Sequence, residues 1–174
     1  MSSKARFLRE LRRAVLIVGE GHAEVVFLQH CKSLYTFRSG GITVNIKNAH
    51  GKGAGNVVDY AVKQNRLATY DACYALLDSD TDWTQAVAKR AKSNRVQILL
   101  AVPCLEALLL EVHAQPIVGN NTQQLKTQFK SYFGGAEAND LTLYERRFGR
   151  EILDLASLRL PLLQSILAVF KVDS

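Results

Sequence analysis

The sequence predicts an α/β fold: a parallel four-stranded sheet in the order 2-1-3-4, helices on both faces, and a small C-terminal helical appendage. Three observations carry that prediction. The runs 14–18, 72–77 and 96–102 are apolar without alternating. A strand buried on both faces reads that way, and parallel sheets bury both faces. Each run is followed by a stretch with helical spacing, and successive β–α units wind through right-handed crossovers into one sheet. Finally, the first and third runs end in turns that carry acids, Gly19-Glu20-Gly21 and Asp78-Ser79-Asp80-Thr81-Asp82. Ligands of open α/β sheets bind outside the carboxyl ends of the strands.

Composition sets the outer limits. A length of 174 residues suits one domain, and 48% apolar with 22% charged residues suits a globular chain rather than a disordered one. A formal charge of +6 and a pI of about 9.3 favour polyanionic partners through long-range attraction. Cys31, Cys73 and Cys104 form no C-x-x-C pair, which argues against a zinc knuckle or a disulfide framework and for buried thiols in a reducing cytosol. No apolar run is long enough to span a bilayer, so a cytoplasmic protein with no membrane partner is expected.

The elements follow in order. The basic lead-in 1–13 carries Lys4, Arg6, Arg9, Arg12 and Arg13, with Phe7, Leu8 and Leu11 able to form one helical turn. It reads either as a solvated segment or as a phosphate-touching arm. Strand 14–18 leads to a helix over 23–37 whose inner stripe is Val25, Leu28, Cys31 and Leu34, stopped at Ser39-Gly40-Gly41. Residues 42–46 alternate, so the second strand is expected at an edge. The loop His50-Gly51-Lys52-Gly53-Ala54-Gly55-Asn56 opens onto a helix over 56–68. It lacks the Walker A spacing, yet its backbone N–H groups offer a phosphate nest to which Lys52 adds charge; otherwise it is only a turn.

Strand 72–77 and a helix over 84–94, with Trp83 packed at its start, precede strand 96–102. Pro103 is expected to open the next helix, with Leu105, Leu108, Leu109 and Val112 inward. A break at 116–121 separates residues 14–113 from the helical extension 114–174, which is expected to pack on the same domain. In that extension Leu125, Phe129, Tyr132 and Phe133 recur at helical spacing, Gly134-Gly135 ends the helix, and 144–172 is helical with an interruption near Pro161.

The candidate chemistry lies in the acids. Glu20 sits between two glycines that allow a tight turn and close approach of a ligand. Asp78 and Asp80, at i and i+2, project to one side of an extended segment and suit a shared cation. Mg²⁺ is held by one or two carboxylates, with waters and phosphates completing its octahedron. Asp82 joins that set, or else Asp80 or Asp82 caps the helix that follows. Glu106 falls in the first turn of the helix after strand 4, at the same edge, and reads as a metal-facing or supporting carboxylate or as one favoured by the helix dipole. For Glu20 to meet Asp78 and Asp80, strands 1 and 3 must be neighbours, which is what sets the order 2-1-3-4. Of the histidines, His30 reads as structural and His50 as an outside candidate for a proton donor. Lys126, Lys130, Arg146, Arg147 and Arg150 supply positive charge for tracking a phosphate backbone, or else form a solvated face.

These motifs carry a family resemblance. Val15-Leu16-Ile17-Val18-Gly19-Glu20-Gly21 and Leu76-Leu77-Asp78-Ser79-Asp80 resemble the two motifs of the Toprim domain, found in topoisomerases, bacterial-type primases, OLD-family nucleases and recombination proteins. The resemblance implies a compact α/β domain whose glutamate (Glu20 by motif) and DxD aspartates (Asp78, Asp80) bind Mg²⁺ for breaking or joining phosphodiester bonds. Val102-Pro103-Cys104-Leu105-Glu106-Ala107-Leu108-Leu109-Leu110 is similar to the "NPCFELWLLLH" type segment of RloB-like proteins, a Toprim-containing group associated with phage defence. Glu106 then matches that family's glutamate and His113 its histidine. Val102 and Ala107 depart from that segment's asparagine and tryptophan, and His22 stands near the position of a lysine in the family's EGEKTE turn.

The expected activity is therefore a Mg²⁺-dependent (or Mn²⁺-dependent) nuclease or related phosphodiester-transfer enzyme acting on nucleic acid, DNA ahead of RNA. Catalysis is expected from Glu20, Asp78, Asp80 and Glu106, metal binding from Glu20, Asp78, Asp80 and Asp82, and phosphate contact from Gly51, Lys52, Gly53, Arg146 and Arg147. A partner protein from a defence operon fits the same picture. The alternatives are a non-catalytic nucleic-acid-binding or regulatory module, and an enzyme acting on a nucleotide or other small phosphate.

Overall fold

The computed structural model describes residues 12–37, 40–80 and 82–171. The lead-in over 1–11 and the expected roles of Ser39, Thr81 and Val172 lie outside the described residues. Four strands, β1 (Arg13–Gly19), β2 (Ile42–Asn48), β3 (Ala72–Asp78) and β4 (Val96–Ala101), alternate with α1 (His22–Tyr35), α2 (Gly53–Leu67), α3 (Gln85–Ser93) and α4 (Leu105–Val112). The sheet is wholly parallel in the order β2-β1-β3-β4. The order reverses between β1 and β3, where Val15 pairs with Ala72 and Gly19 with Leu76.

Side-chain alternation divides the core. Val15, Ile17, Leu76 and Leu99 point to the face covered by α1 and α4. Leu16, Val18, Ala75 and Leu77 point to the opposite face, under α2 and α3. The interior strands therefore present continuous apolar runs, as parallel strands covered on both sides must. β2, at the sheet edge, alternates as expected: Ile42 and Val44 are buried while Thr43 and Asn45 are exposed. Trp83 packs on the second face, and all three cysteines are buried free thiols. Among the described residues no helix is long and apolar enough to cross a membrane.

Beyond α4 come α5 (Thr122–Tyr132), α6 (Leu141–Arg147), α7 (Arg150–Ser157) and α8 (Pro161–Ala168). They pack against the sheet-bearing part of the chain. Phe129, Tyr144, Phe148, Leu163 and Phe170 belong to the same buried cluster as Val15, Ile17 and Phe27. His30 locks the two parts together through a buried 2.8 Å contact between its Nε2 and the Phe148 carbonyl. The Tyr144 hydroxyl, also buried, donates to the Ala138 carbonyl at 2.6 Å.

Two boundaries differ from expectation. Pro103 does not open α4, because its carbonyl is turned back to accept from the Ser79 and Asp80 N–H groups; the helix starts two residues later with Cys104 as its cap. α2 begins at Gly53 rather than 56, because its first turn is capped by Asp82, an acid distant in sequence.

Candidate functional site

The acidic turns meet at the carboxyl edge of the sheet. After β1 the Glu20 N–H donates to the Leu76 carbonyl at 3.0 Å, continuing the β1–β3 ladder one residue past the strand. The Glu20 side chain then reaches across, and its Oε2 accepts from the Asp78 N–H at 3.1 Å. Gly19 makes this turn possible: a Cβ there would stand 3.0 Å from the Glu24 Cβ and 3.2 Å from the Val25 backbone nitrogen, so only glycine lets α1 start this close.

Asp78 ends β3 and is half-buried. Its Oδ1 accepts from the Leu105 N–H at 3.0 Å, in the first turn of α4, where unpaired N–H groups and the helix dipole favour a carboxylate. Asp80 is exposed and accepts a short hydrogen bond from the Thr122 hydroxyl at the start of α5. Asp82 turns away to the N-terminus of α2, where its Oδ1 accepts from Ala54 N–H at 2.7 Å. It does not cap the helix that follows it; Thr84 does that, accepting from the Val87 N–H.

Glu106 is buried in the first turn of α4 and lines a cleft of about 370 Å³ between α4, α5 and residues 136–139. Glu24, which the motif reading passed over, is a second buried carboxylate, with Oε2 accepting from the Gly21 N–H at 2.8 Å. Its signal in sequence is the spacing of a helix-capping glutamate, which speaks of α1 and not of a shared site. Thr122 likewise announces a helix start beside Asn121, but nothing local says that this start lands on Asp80.

The electrostatics follow from this crowding. Burial pushes the Asp78 carboxyl up to about 8, and the charges of Glu24, Glu106, Glu20 and Asp80 add to the rise. Burial also raises Glu20, opposed by the Asp78 N–H bond and reinforced by Asp80 and Asp82. Glu24 is raised by burial first, with Glu20 and Glu106 contributing. Lys126 on α5 is the cation that feels this field. Partial desolvation lowers its pKa, but Glu106, Asp78 and Asp80 together raise it above the ordinary lysine value.

The expected cation cage is not preformed. Among the described residues no three His, Cys, Asp or Glu side chains stand in a ready ligating arrangement. The reason lies in the bonds just described: a backbone N–H or a hydroxyl has oriented one oxygen of each acid, and Asp82 is drawn to α2. The donor set still fits Mg²⁺, which takes one or two carboxylates and fills its octahedron with water and phosphate. Like charges this close are relieved by a cation.

Other candidates divide between the edge and elsewhere. The glycine loop comes to the same edge, but several of its donors are engaged: the His50 N–H gives to Asn48 at 2.7 Å, the Gly51 N–H to the Glu20 carbonyl at 2.8 Å, and the Ala54 N–H to Asp82. His50, Gly51, Lys52 and Gly53 all have positive φ, between 60° and 84°, and a Cβ on Gly53 would overlap the Asp82 carboxylate. Lys52 is exposed on this turn. Arg147 does not join the acids. It lies over the rings of Tyr132 and Phe133, near His113. His113 caps the far end of α4, about 12 Å along the helix from Leu105 at 1.5 Å per residue. Arg146, its neighbour on α6, is exposed.

Comparison with known proteins gives no match: no family model, curated protein or solved structure matches the chain.

Proposed function

We propose that this protein is a divalent-metal-dependent phosphodiester-cleaving enzyme acting on nucleic acid, of the Toprim kind and RloB-like, with DNA as the first polymer to test. The observation that carries the reading is the 3.1 Å bond from the Asp78 N–H to Glu20 Oε2, which joins two turns separated by 58 residues at the reversal point of the sheet. Glu20, Asp78 and Asp80 would hold the cation. When bound, Mg²⁺ or Mn²⁺ would supply Lewis-acid polarisation of the phosphate and an activated water.

The chain's own residues do the rest. The Leu105 and Asp78 N–H groups fix the orientation of the Asp78 and Glu20 carboxylates, and the Thr122 hydroxyl fixes Asp80. Lys126 gives a phosphate a positive neighbour beside an edge that would otherwise repel it. The net charge of +6 draws a polyanion to the surface. A phage-defence setting, with a partner protein from the same locus, belongs to this proposal, as does a cytoplasmic location, which suits three free thiols.

The test is cleavage of plasmid, single-stranded DNA and RNA with Mg²⁺ or Mn²⁺. Product that disappears in Asp78→Asn and Glu20→Gln, with the thermal melt retained, supports the enzyme. A regulatory module that binds nucleic acid without turnover is the second reading, favoured by the absence of a preformed three-ligand cage among the described residues. Tight binding with no product under any metal would select it.

A further inference from the structure

The cleft behind Asp78 has a chemistry of its own. It encloses about 370 Å³, within the range of small-ligand pockets (about 300–1,000 Å³) and too small for a duplex. Its lining includes the Glu106 carboxylate, the side chains of Lys126, Gln123 and Asn139, and apolar surface from Phe129 and Ala136. Glu106 is only 8% exposed. Its side-chain neighbour is the Cys104 thiol, at best a weak donor. A desolvated carboxylate accepts at both oxygens and donates nowhere, so a ligand facing it must bring donor groups, and paired N–H groups match its two oxygens side by side.

We infer that this cleft binds a guanine base, with Glu106 accepting from its N1–H and N2–H groups and Lys126 lying toward the attached phosphate. Two adjacent donors match the two oxygens of a carboxylate. The Watson–Crick edges of adenine, cytosine and uracil each place an acceptor beside the donor, which would face the second oxygen in repulsion. The apolar walls offer surface to a flat ring. An arginine side chain also presents paired donors, but it would bring a second cation beside Lys126, whereas a nucleotide brings a phosphate to it; Lys130 at the same cleft is paired with Glu137 at 3.0 Å. The guanine belongs either to a nucleic-acid strand or to a free nucleotide. The inference rests on the phosphodiester reading of the adjacent edge, since that is what puts a nucleotide beside it.

Binding without metal tests it apart from that reading. The full chain in EDTA is titrated with GMP, IMP, AMP, CMP and UMP by calorimetry. GMP is expected to bind about tenfold more tightly than IMP, which lacks the N2 amine, and than the other three, the discrimination of one bidentate contact. Glu106→Gln is expected to remove that preference. Should Glu106→Gln fail to fold, Thr127→Trp, at an exposed position lining the cleft, is expected to abolish GMP binding while leaving Mn²⁺ binding at Glu20 and Asp78 intact. A single-guanine oligonucleotide that binds more tightly than GMP assigns the base to a strand, and equal affinities assign it to a free nucleotide. Equal binding of all five mononucleotides, no binding of any, or tighter binding of N-acetylargininamide than of GMP overturns the inference. Loss of Mn²⁺ binding or of cleavage alone would leave it standing and sink only the phosphodiester reading.

Discussion

Asp78 lies where the demands on the site conflict. Its carboxyl is held by the Leu105 N–H, yet burial and four neighbouring carboxylates push its pKa up to about 8, against about 3.9 in an unfolded chain. The folded state therefore holds the proton more tightly. The stability this confers is complete below about pH 3.9 and is lost as the pH rises through about 8. Asp78→Asn keeps an acceptor for Leu105 and removes the charge. It should melt close to wild type at pH 4.5 in EDTA and above it at pH 8.5. After discounting for partial exposure, the gain is about 1–3 kcal/mol, or roughly 3–10 °C. Thermal melts at the two pH values decide this, and an offset equal at both would show that the carboxyl does not titrate as described. At this scale the sequence was informative about Glu20, Asp78 and Asp80, because acids at strand ends are a local pattern. It was silent on Glu24 as a neighbour of Asp78, because a capping glutamate looks the same whether or not another acid faces it.

Among the elements, α2 shows how a site-bearing turn is held by another segment. Asp82 caps the helix through the Ala54 N–H, and Gly53, at φ 84°, leaves room for its carboxylate. Asp82→Ala should cost about 1 kcal/mol, the usual value of a lost cap, or roughly 2–4 °C in a chain of this size. Gly53→Ala should cost more, because it strains a left-handed residue and displaces the same carboxylate. Paired melts of the two variants test the order, and an Asp82→Ala loss larger than that of Gly53→Ala would contradict it. The glycine-rich loop and the helix after it were legible from punctuation alone. The capping acid was not, since it comes from a turn 28 residues further on. The same limit explains Pro103: its residue type suggests a helix start, but its carbonyl is claimed by the Asp78–Asp80 turn.

The whole molecule is a doubly wound sheet in which the C-terminal helices complete one of the two cores. The strand order was legible because one chemical requirement, Glu20 near Asp78, fixed which strands are neighbours. Which residues of 114–174 meet which part of the sheet was not, because helical spacing shows that a face is apolar without showing what it meets. Phe148 packs in the cluster that holds Val15 and Phe27, and its carbonyl accepts from the His30 Nε2–H at 2.8 Å across the boundary at 113. Phe148→Ala should therefore destabilise the protein by about 3–5 kcal/mol, as large-to-small changes in a packed core do. A chain ending at residue 113 should lose cooperative unfolding, and a sharp melt for that fragment in calorimetry would show that the sheet stands alone.

The central claim is that Glu20 and Asp78 share a divalent cation at the reversal point of the sheet. Titration of Mn²⁺ followed by electron paramagnetic resonance at pH 7.5 tests it most directly. The account predicts a bound Mn²⁺ in the wild-type chain, lost in both Asp78→Asn and Glu20→Gln and kept in Arg146→Ala. Wild-type protein that leaves Mn²⁺ free, or the two carboxylate variants binding it as wild type does, would contradict the account.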